Sequence, residues 1–266
     1  MIITLLTDFG ASDYFVGAMK GALLSVNPQA QIVDITHEIP AHDIEAAAFT
    51  LLAAYESFPT GTIHVAVVDP GVGSARRPLI VAAQGYLFVG PDNGLFSYVC
   101  DGAIDVRVYH VTNETFFRPV VSQTFHGRDI FAPIAGALSK GVPPEEFGSL
   151  SDLEVKLAPL IPLREADGTW AAKIIHIDRS GNLIINIARR GLAGEEFRQG
   201  AKLEINGREI GSFRGFYADE TNAATGEMFA IWGSAGFLEI AANCASAALL
   251  LGVARGHMVR LAPLKS

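Results

Sequence analysis

The chain has 266 residues, 50% of them hydrophobic, which is enough to bury a sizeable core in one large domain or two modest ones. Its net charge of -8 argues against a nucleic-acid partner, because phosphate binding needs an excess of lysine and arginine. Only two cysteines occur, Cys100 and Cys244, and they are far apart, so neither a zinc ribbon nor a disulfide framework is indicated. No secretory signal is recognisable and no uncharged run reaches about 18 apolar residues, so we expect a cytoplasmic protein with no membrane partner.

Strand-like runs alternate with helical patterns over residues 1 to about 140. The order is IITLLTDF, YFVGAMKGALLSV, QIVDIT, HDIEAAAFTLLAAYESF and TIHVAVVD, followed by YLFVG, DVRVYHV and a helical RDIFAPIAGALSKG that ends at Gly141. Alternating helices and apolar strands predict an α/β N-terminal domain with a mostly parallel sheet covered on both faces.

The chain changes character between about residues 142 and 168. A proline-containing stretch with a turn at EADG predicts a linker there. After it come AAKIIHID, NLIINI, AKLEIN and GFLEIA, which are short strand-like pieces separated by glycine-containing turns. They predict a small all-β, barrel-like C-terminal domain. We therefore expect an α/β domain over residues 1–160 and a β domain over residues 168–266.

Polar side chains collect where the predicted strands of the first domain end. Asp8 ends the first strand, His37 follows QIVDIT and Asp69 ends HVAVV. His126 and Arg128 stand near the start of the later helix. Because ligands of such sheets bind beyond the carboxyl ends of the strands, a site is expected at this edge.

The stretch VAVVDPGVGSARRPL combines an acid, a glycine turn and an arginine pair after a strand. Arg76 stands where a dinucleotide fingerprint needs its third glycine, and without GK[ST] a P-loop is excluded. A plain glycine turn remains an alternative. Asp69, Arg76 and His126 from separate strand ends could together hold one water. An arginine beside Asp69 would make it a weak base, suited to an electrophile that is already reactive.

Two other interpretations of these polar residues stay open. The HEIPAHD stretch (His37, His42 and Asp43) with Asp69 and His126 offers metal ligands, but its spacing matches no zinc signature and a proline interrupts it, so we expect no metal. Asp8 and Asp13 could be helix N-caps, an interpretation that the sequence favours for Asp13 alone.

The second domain offers polar residues at its turns. DRSGNLIINI holds Asp178 and Asn182 across a glycine, and WGSAGFLEIAANCAS holds Ser234 and Glu239. These four residues are either ligand contacts or ordinary β-turn residues, which such side chains favour through local hydrogen bonds.

The motifs TLLTDFGASDYFVGAMKG, DITHEIPAHDI, GTIHVAVVDPGVGSARR, FVGPDNGLFSYV, TFHGRDIFAPIAGAL, DRSGNLIINI and GFLEIA, in this order, resemble those of the S-adenosyl-L-methionine hydroxide adenosyltransferases. This family is related to the fluorinases and chlorinases. The resemblance implies hydrolysis of S-adenosyl-L-methionine to adenosine and L-methionine without a cofactor. It also implies a homotrimer whose sites lie between the N-terminal domain of one subunit and the C-terminal domain of its neighbour.

The resemblance also assigns roles. Asp69, Arg76 and His126 match the family's water-activating residues, and water would attack C5′ in line with the departing sulfur. The candidate substrate-binding residues are Asp8, Asp13, Asp178, Asn182, Tyr217, Ser234, Glu239 and Cys244. Among them, Asp8 matches the position that holds the ribose hydroxyls. Asp13, Asp178 and Ser234 match positions around the methionine ammonium and carboxylate. Asn182 and the backbone near Cys244 match contacts to the adenine edge, and Tyr217 matches an aromatic beside the purine.

This chain departs from the family pattern at two positions. Ser180 stands where D-x-F-G-N has an aromatic residue, and Ala235 stands where N-S-[SR]-G has a polar one. Loss of a stacking aromatic would weaken substrate binding by about 1 to 3 kcal/mol or change the substrate.

Two alternative functions follow from these features. A non-catalytic adenosine or S-adenosylmethionine binding protein would account for the two departures. A chlorinase-like adenosyl halide former is less favoured, because the halogenases have tyrosine where Asp69 stands and the fluorinase has its halide-binding serine where Gly127 stands.

Overall fold

The computed structural model of the protein describes residues 1–191, 197, 201–218 and 223–263. The chain divides into two compact units, Met1–Pro159 and Leu160–Ser266. Each unit buries its own hydrophobic clusters. In the described part of the chain, no helix has the length and hydropathy needed to cross a bilayer.

A seven-stranded sheet forms the centre of the first unit. Its strands are β1 (Ile2–Thr7), β2 (Gln31–Thr36), β3 (Ile63–Val67), β4 (Pro78–Ala83), β5 (Tyr86–Pro91), β6 (Arg107–Val111) and β7 (Gly148–Ser151). They are arranged in the order β2-β1-β3-β5-β4-β6-β7. The first four strands in this order run parallel, whereas the remaining pairings are antiparallel. The sheet is therefore mixed rather than mostly parallel.

The change of direction occurs at the hairpin between β4 and β5. Its two loop residues, Gln84 and Gly85, have φ angles of 53° and 82°. Two-residue hairpins need such left-handed conformations to match the twist of their strands. Gln-Gly is a weaker hairpin signal than Asn-Gly or Asp-Gly. The sequence analysis predicted no strand over residues 78–83, so the alternating pattern indicated a mostly parallel sheet.

Helices cover both faces of this sheet. α1 (Phe15–Val26) and α4 (Ala132–Ser139) contribute to one hydrophobic cluster, and α2 (Ile44–Ala54) and α3 (Ser97–Cys100) contribute to another. The side chains of β1 alternate between the two clusters, with Leu5 in the first and Leu6 in the second. Burial on both faces accounts for the continuous apolar runs that the sequence shows.

Part of the predicted linker belongs to the first unit. β7 is an edge strand paired with β6, and a Cβ atom added at Gly148 would lie 1.9 Å from the carbonyl oxygen of His110. The central side chains of β7 are exposed, so this strand lacks the apolar alternation by which a strand is recognised.

The second unit is an antiparallel sheet that nearly closes into a barrel. Its strands are β8 (Leu163–Arg164), β9 (Trp170–Ile177), β10 (Leu183–Ala188), β11 (Ala201–Ile205), β12 (Arg208–Ile210), β13 (Met228–Trp232), β14 (Phe237–Ala242) and β15 (Met258–Pro263), with the short helix α5 (Ala247–Leu251). The order is β12-β11-β15-β9-β10-β14-β13, and β8 pairs with β9. Backbone bonds from Ala230 of β13 to Ser212 and Arg214, both 2.9 Å, join the two ends of this order. The second unit therefore has the expected antiparallel, nearly barrel-shaped sheet, with one short helix, α5, that the sequence analysis did not predict.

Candidate active site

Parallel pairing brings Asp8 and Asp69 to one edge of the first sheet. Thr7, the last residue of β1, lies opposite Val67, the last residue of β3. Asp8 comes directly after the end of β1 and Asp69 comes two residues after the end of β3, and their side chains are only 9% and 5% exposed. The edge is the one at which the strand directions of an α/β sheet predict a ligand crevice.

Asp69, Arg76 and His126 form one hydrogen-bonded cluster. Arg76 donates from Nε to Asp69 Oδ1 at 2.8 Å and from Nη2 to Asp69 Oδ2, so the pair is bidentate. Arg76 Nη2 also lies 3.1 Å from Nδ1 of His126. Arg76 Nη1 is buried and has no hydrogen-bond partner among the described residues. The structure therefore brings together the three residues that the sequence analysis grouped.

The contact with Arg76 fixes the tautomer of His126. A guanidinium group has donors only, so Nδ1 must accept and the ring proton of neutral His126 lies on Nε2. Burial, followed by the positive charge of Arg76, holds the pKa of His126 below its ordinary value of 6.5. At neutral pH the imidazole is consequently uncharged and can donate one hydrogen bond from Nε2.

Two close contacts hold this cluster in place. Gly73, in the 69–76 loop, has φ +80°, and a Cβ atom added there would lie 2.3 Å from the carbonyl oxygen of Gln123. The loop is thus pressed against the segment that leads to His126. The Cζ atom of Arg76 lies 5.2 Å from the ring centre of Phe131, at the end of the π-helical turn Gly127–Phe131 that leads directly into α4.

The other arginines near these motifs have separate partners. Arg77 donates from Nε to Asp92 at 3.0 Å and from Nη1 to the Ser151 hydroxyl at 2.7 Å, which ties the end of β5 to β7. Arg128 forms a bidentate pair with the fully buried Asp129. Neither arginine joins the cluster of Asp69 and His126 through a hydrogen bond among the described residues.

Asp8 and Asp13 differ in their surroundings. Asp8 Oδ2 accepts a hydrogen bond of 2.9 Å from the backbone N–H of His42, a residue with a left-handed φ of 67°. Asp13 is exposed in the loop before α1, where the N-cap position is occupied by Tyr14. The interpretation of Asp13 as a helix cap is therefore wrong, whereas Asp43 does cap α2 by accepting from the backbone of Ala46.

Among the described residues, the structure shows no set of ligands for the metal site considered from the sequence. Within residues 1–191, 197, 201–218 and 223–263, no three His, Cys, Asp or Glu side chains converge on a position that could hold a metal ion. His37 instead contacts Thr7 through Nδ1 at 2.8 Å.

In the second unit, Asp178 and Asn182 bind each other across the β9–β10 turn. Both the backbone and the side-chain nitrogen of Asn182 donate to the Asp178 carboxylate at 2.9 Å. Gly181 has φ +85°, and a Cβ atom there would lie 2.0 Å from Oγ of Ser246, so the turn packs closely on the residue that caps α5. Ser180 is exposed at the tip of this turn.

Tyr217 and Glu239 form a second polar pair in this unit. The Tyr217 hydroxyl donates to Glu239 Oε2 at 2.9 Å. Burial, followed by this hydrogen bond, raises the pKa of Tyr217 to about 12. Burial also raises the pKa of Glu239, and the nearby charge of Asp178 acts in the same direction. A Cβ atom at Gly233 would lie 1.7 Å from Glu239 Oε1, so only glycine leaves room for this carboxylate.

Ser234 and Cys244 lie at exposed turns. Ser234 and Ala235 occupy the loop between β13 and β14, which closes through a 3.0 Å bond from the Gly236 nitrogen to the Gly233 oxygen. Cys244 has a left-handed φ of 50°, and its thiol lies 3.8 Å from Asn243 Oδ1. No described hydrogen bond joins either residue to the pair of Asp178 and Asn182.

The sequence analysis did not single out several residues that pack against the candidate site residues or leave space for them. Phe131, Ser246, Gly233 and Gln123 carry no chemical signature in the sequence, because each acts through a contact with a residue distant along the chain. The glycines at 73, 181 and 233 were the available signal, since a glycine at a turn often marks close approach of another group.

Family models match the chain in both halves. The N-terminal domain of the SAM hydroxide adenosyltransferases matches residues 3–148, and the C-terminal domain matches residues 172–260. The chain belongs to the SAM hydroxide adenosyltransferase family. The resemblance drawn from the motifs is thereby confirmed, and with it the assignment of the chain as an enzyme that acts on S-adenosylmethionine.

Individual relatives of this chain agree with the family match. The (R)-S-adenosyl-L-methionine hydrolases of Salinispora tropica and Thermus thermophilus are each 36% identical to it, with 97% and 96% of this chain and 97% of each relative covered. A solved structure from Thermotoga maritima superposes with a TM-score of 0.87 at 31% identity, covering 98% of this chain and 99% of that one. The fluorinase of an Actinoplanes species is 30% identical over 77% of this chain and 78% of its own length.

Proposed function

We propose that this protein hydrolyses S-adenosyl-L-methionine to adenosine and L-methionine, using Asp69, Arg76 and His126 to hold the attacking water. The observation that carries the proposal is the bidentate Asp69–Arg76 pair with His126 Nδ1 on the same guanidinium group. A carboxylate held in this way accepts a hydrogen bond from water but is a poor base. The neutral imidazole supplies one donor, which engages one lone pair of the water oxygen and leaves the other to attack C5′.

The substrate needs positioning more than it needs a strong base. The oxygen of water forms a bond to C5′ while the bond from C5′ to sulfur breaks, and the electron pair of that bond neutralises the sulfonium. L-methionine leaves as a neutral thioether, and the attacking water gives up its proton to Asp69 and then to solvent. Because the leaving group is already cationic, correct orientation supplies a large part of the rate.

We propose the following substrate contacts on the basis of the resemblance. Asp8 is at the same sheet edge as Asp69 and would accept from the ribose hydroxyls. The remaining candidates would contact the methionine end, the adenine edge or the purine face: Asp13, Asp178, Asn182, Tyr217, Ser234, Glu239 and Cys244. The hydrogen bond between Tyr217 and Glu239 supports a fixed orientation for the Tyr217 ring.

The relatives' names suggest which epimer at sulfur is the substrate. Both hydrolases are named for (R)-S-adenosyl-L-methionine, and we propose the same epimer for this protein. We further propose a homotrimer with active sites shared between subunits, a cytoplasmic location, and no nucleic-acid or membrane partner.

Product analysis tests the reaction. Purified protein is incubated with each epimer of S-adenosyl-L-methionine in ¹⁸O-water that contains chloride, and the products are identified by mass spectrometry. We expect labelled adenosine and unlabelled methionine from the (R) epimer. Appearance of 5′-chloro-5′-deoxyadenosine would show halogenation, and unchanged substrate would indicate a binding protein.

The arginine pairs supply a matched control for this experiment. Asp69→Asn should reduce kcat by about 10²-fold or more, the range for loss of a group that handles the proton in the transition state. Asp92→Asn weakens the neighbouring ion pair with Arg77, which lies outside the cluster, and should retain kcat. Equal losses of kcat in the two variants would contradict the role of Asp69.

A further inference from the structure

The end of β1, which presents Asp8, is held by the segment that follows β2. This segment, residues 37–42, makes four hydrogen bonds to the strand end, one of them from the Ile39 backbone nitrogen to the Thr7 backbone oxygen at 3.4 Å. The Thr7 side-chain oxygen lies 2.8 Å from His37 Nδ1. The Gly10 backbone nitrogen donates to the His37 oxygen at 2.8 Å, and the His42 nitrogen donates to Asp8 at 2.9 Å. The chain is thus bonded to residues 37–42 before Asp8, at Thr7, and after it, at Gly10, as well as at Asp8 itself.

The contact between Thr7 and His37 is buried and has a single consistent direction. Thr7 is fully buried and His37 is 8% exposed. Nε2 of His37 lies 3.1 Å from Asp34 Oδ1 in a bent geometry, and a carboxylate can only accept, so in the neutral ring the proton lies on Nε2 and Nδ1 accepts from the Thr7 hydroxyl. Thr7 Oγ1 in turn accepts from the backbone nitrogen of Phe9 at 3.3 Å.

The far end of this chain of contacts is fixed by a surface ion pair. Lys20 donates to Asp34 Oδ2 at 2.6 Å. Burial raises the pKa of Asp34, but the bonds from Lys20 and His37 outweigh it and hold that pKa below its ordinary value. Asp34 is therefore ionised, and its Oδ1 lies beside Nε2 of the His37 ring.

The strand end contacts both parts of the site. Asp8 lies beside the edge where the water-holding cluster forms. Phe9 packs edge-on against Phe125 at 5.8 Å, and a Cβ atom at Gly127 would lie 3.4 Å from the Phe9 ring. Phe125 and Gly127 flank His126. A displacement of the strand end would consequently shift the Asp8 carboxylate and the packing on which the His126 turn rests.

We propose that Thr7 and His37 are positioning residues, which hold the end of β1 so that the Asp8 carboxylate meets the ribose of the substrate. The part that concerns ribose rests on the proposed function. The part that concerns the strand end does not, because it follows from the bonds that Thr7 and His37 make within the protein.

The same strand supplies a matched control. Thr4, also fully buried on β1, contacts Nδ1 of the buried His64 at 2.7 Å. Thr4→Val and Thr7→Val therefore remove the same kind of hydroxyl-to-imidazole bond from the same strand. Only Thr7 bonds to the segment that encloses Asp8. Any effect of general destabilisation should appear in both variants, and an effect of positioning should appear in Thr7→Val alone.

The first test is hydrogen exchange of the Phe9 and Gly10 amides in the full-length protein without ligand. We expect Thr7→Val to accelerate exchange at these amides at least about tenfold, since each amide is bonded to a group that Thr7 or His37 supplies. Thr4→Val and the conservative Thr7→Ser should stay close to the wild type. Equal exchange in Thr7→Val and Thr4→Val would overturn the proposal.

The second test is steady-state kinetics with S-adenosyl-L-methionine. Thr7→Val should raise KM about tenfold with kcat nearly unchanged, because a carboxylate moved by a fraction of an ångström loses part of its hold on the substrate. Thr7→Ser should restore KM, and Thr4→Val should not change it. A fall in kcat at constant KM would overturn the role of the pair in binding ribose.

Two outcomes separate this proposal from the proposed function. A wild-type protein that releases no adenosine would refute the proposed function and the ribose role, and hydrogen exchange would still decide whether the pair fixes the strand end. If Thr7→Val does not fold, Asp34→Asn provides the comparison, because Asp34 is 38% exposed and its carboxylate contacts His37 and Lys20 but not Thr7. Asp34→Asn should accelerate amide hydrogen exchange and raise KM, as Thr7→Val does, but by smaller factors.

Discussion

Arg76 and Arg77 are adjacent in the sequence, but their guanidinium groups bind different carboxylates. Arg76 is paired with Asp69 at the end of β3, and Arg77 is paired with Asp92 at the end of β5. Neighbouring residues in an extended stretch point in opposite directions, which accounts for the separation. At the scale of single residues, therefore, the partner and not the residue type distinguishes a site residue from a structural one.

His64 makes a pH-dependent contribution to stability. The ring is fully buried, stacks on Phe88 with ring centres 5.2 Å apart, and burial lowers its pKa from 6.5 to about 4. Because the folded-state pKa lies below the unfolded-state pKa, the unfolded chain takes up a proton first as the pH falls. The free energy of unfolding should therefore decline from pH 6.5 towards pH 4, by up to about 3 kcal/mol from this group.

Chemical denaturation of the wild type and of His64→Gln at several pH values measures this contribution. The difference between the two proteins removes the effect of the other titrating groups. We expect the advantage of the wild type to be largest above pH 6.5 and to shrink as the pH approaches 4. A difference that does not depend on pH would contradict a neutral, buried His64.

The 69–76 loop acts as one element because a backbone contact closes it onto another segment. Gly73 faces the carbonyl oxygen of Gln123 and has a left-handed backbone, so any side chain there is strained and collides with an atom that cannot rotate away. A Cβ atom added at Gly71, two residues earlier, would lie 3.5 Å from the Ser74 hydroxyl oxygen, its nearest neighbour. This is an ordinary contact distance. The two glycines of this loop are thus unequal.

Alanine substitutions at the two glycines test this difference. Gly73→Ala should separate Arg76 from His126 and lower kcat/KM by about 10²-fold, the effect expected when reacting groups move by about 1 Å. Gly71→Ala, which introduces ordinary contacts, should cost much less. Measurement of kcat/KM together with the melting temperature shows whether the loss is catalytic. Similar losses of kcat/KM in both variants would contradict the role of Gly73 in holding the 69–76 loop against Gln123.

At the scale of the whole molecule, each unit carries its own group of candidate residues. The water-holding cluster and Asp8 belong to the first unit, and Asp178, Asn182, Tyr217 and Glu239 belong to the second. Each unit has a separate hydrophobic core. Substitutions in one group should therefore leave the other unit folded, which allows the two groups to be inactivated independently.

Mixing two inactive variants tests the proposed trimer. Asp69→Asn and Asp178→Ala chains with different tags are co-expressed, and assemblies that contain both are purified. If each site uses residues of two subunits, about one third of the sites in such a cyclic trimer are intact, and activity returns. The control is a mixture of Asp69→Asn with itself. Permanently inactive mixed assemblies would refute sites shared between subunits, and a monomer in solution would refute the trimer.

Several features were predictable because they depend on local patterns. The apolar runs of β1, β2 and β3 predicted strands, and the strand ends at Asp8 and Asp69 predicted the edge at which polar groups collect. The antiparallel half of the first sheet was not predicted, because the left-handed conformation of Gln84 and Gly85 has only a weak sequence signal. The edge strand β7 was taken for a linker because its exposed side chains show no alternation.

The sequence by itself determined the family, the apolar strands β1, β2 and β3 and the residues at the strand ends, since motifs and periodicity are properties of neighbouring residues. Only the tertiary structure decided which arginine joins His126, which nitrogen of that ring holds the proton, and which hydroxyl of β1 meets His37. Those outcomes depend on contacts between residues far apart in the chain. Their geometry is set by how the strands pack, and no local pattern encodes it.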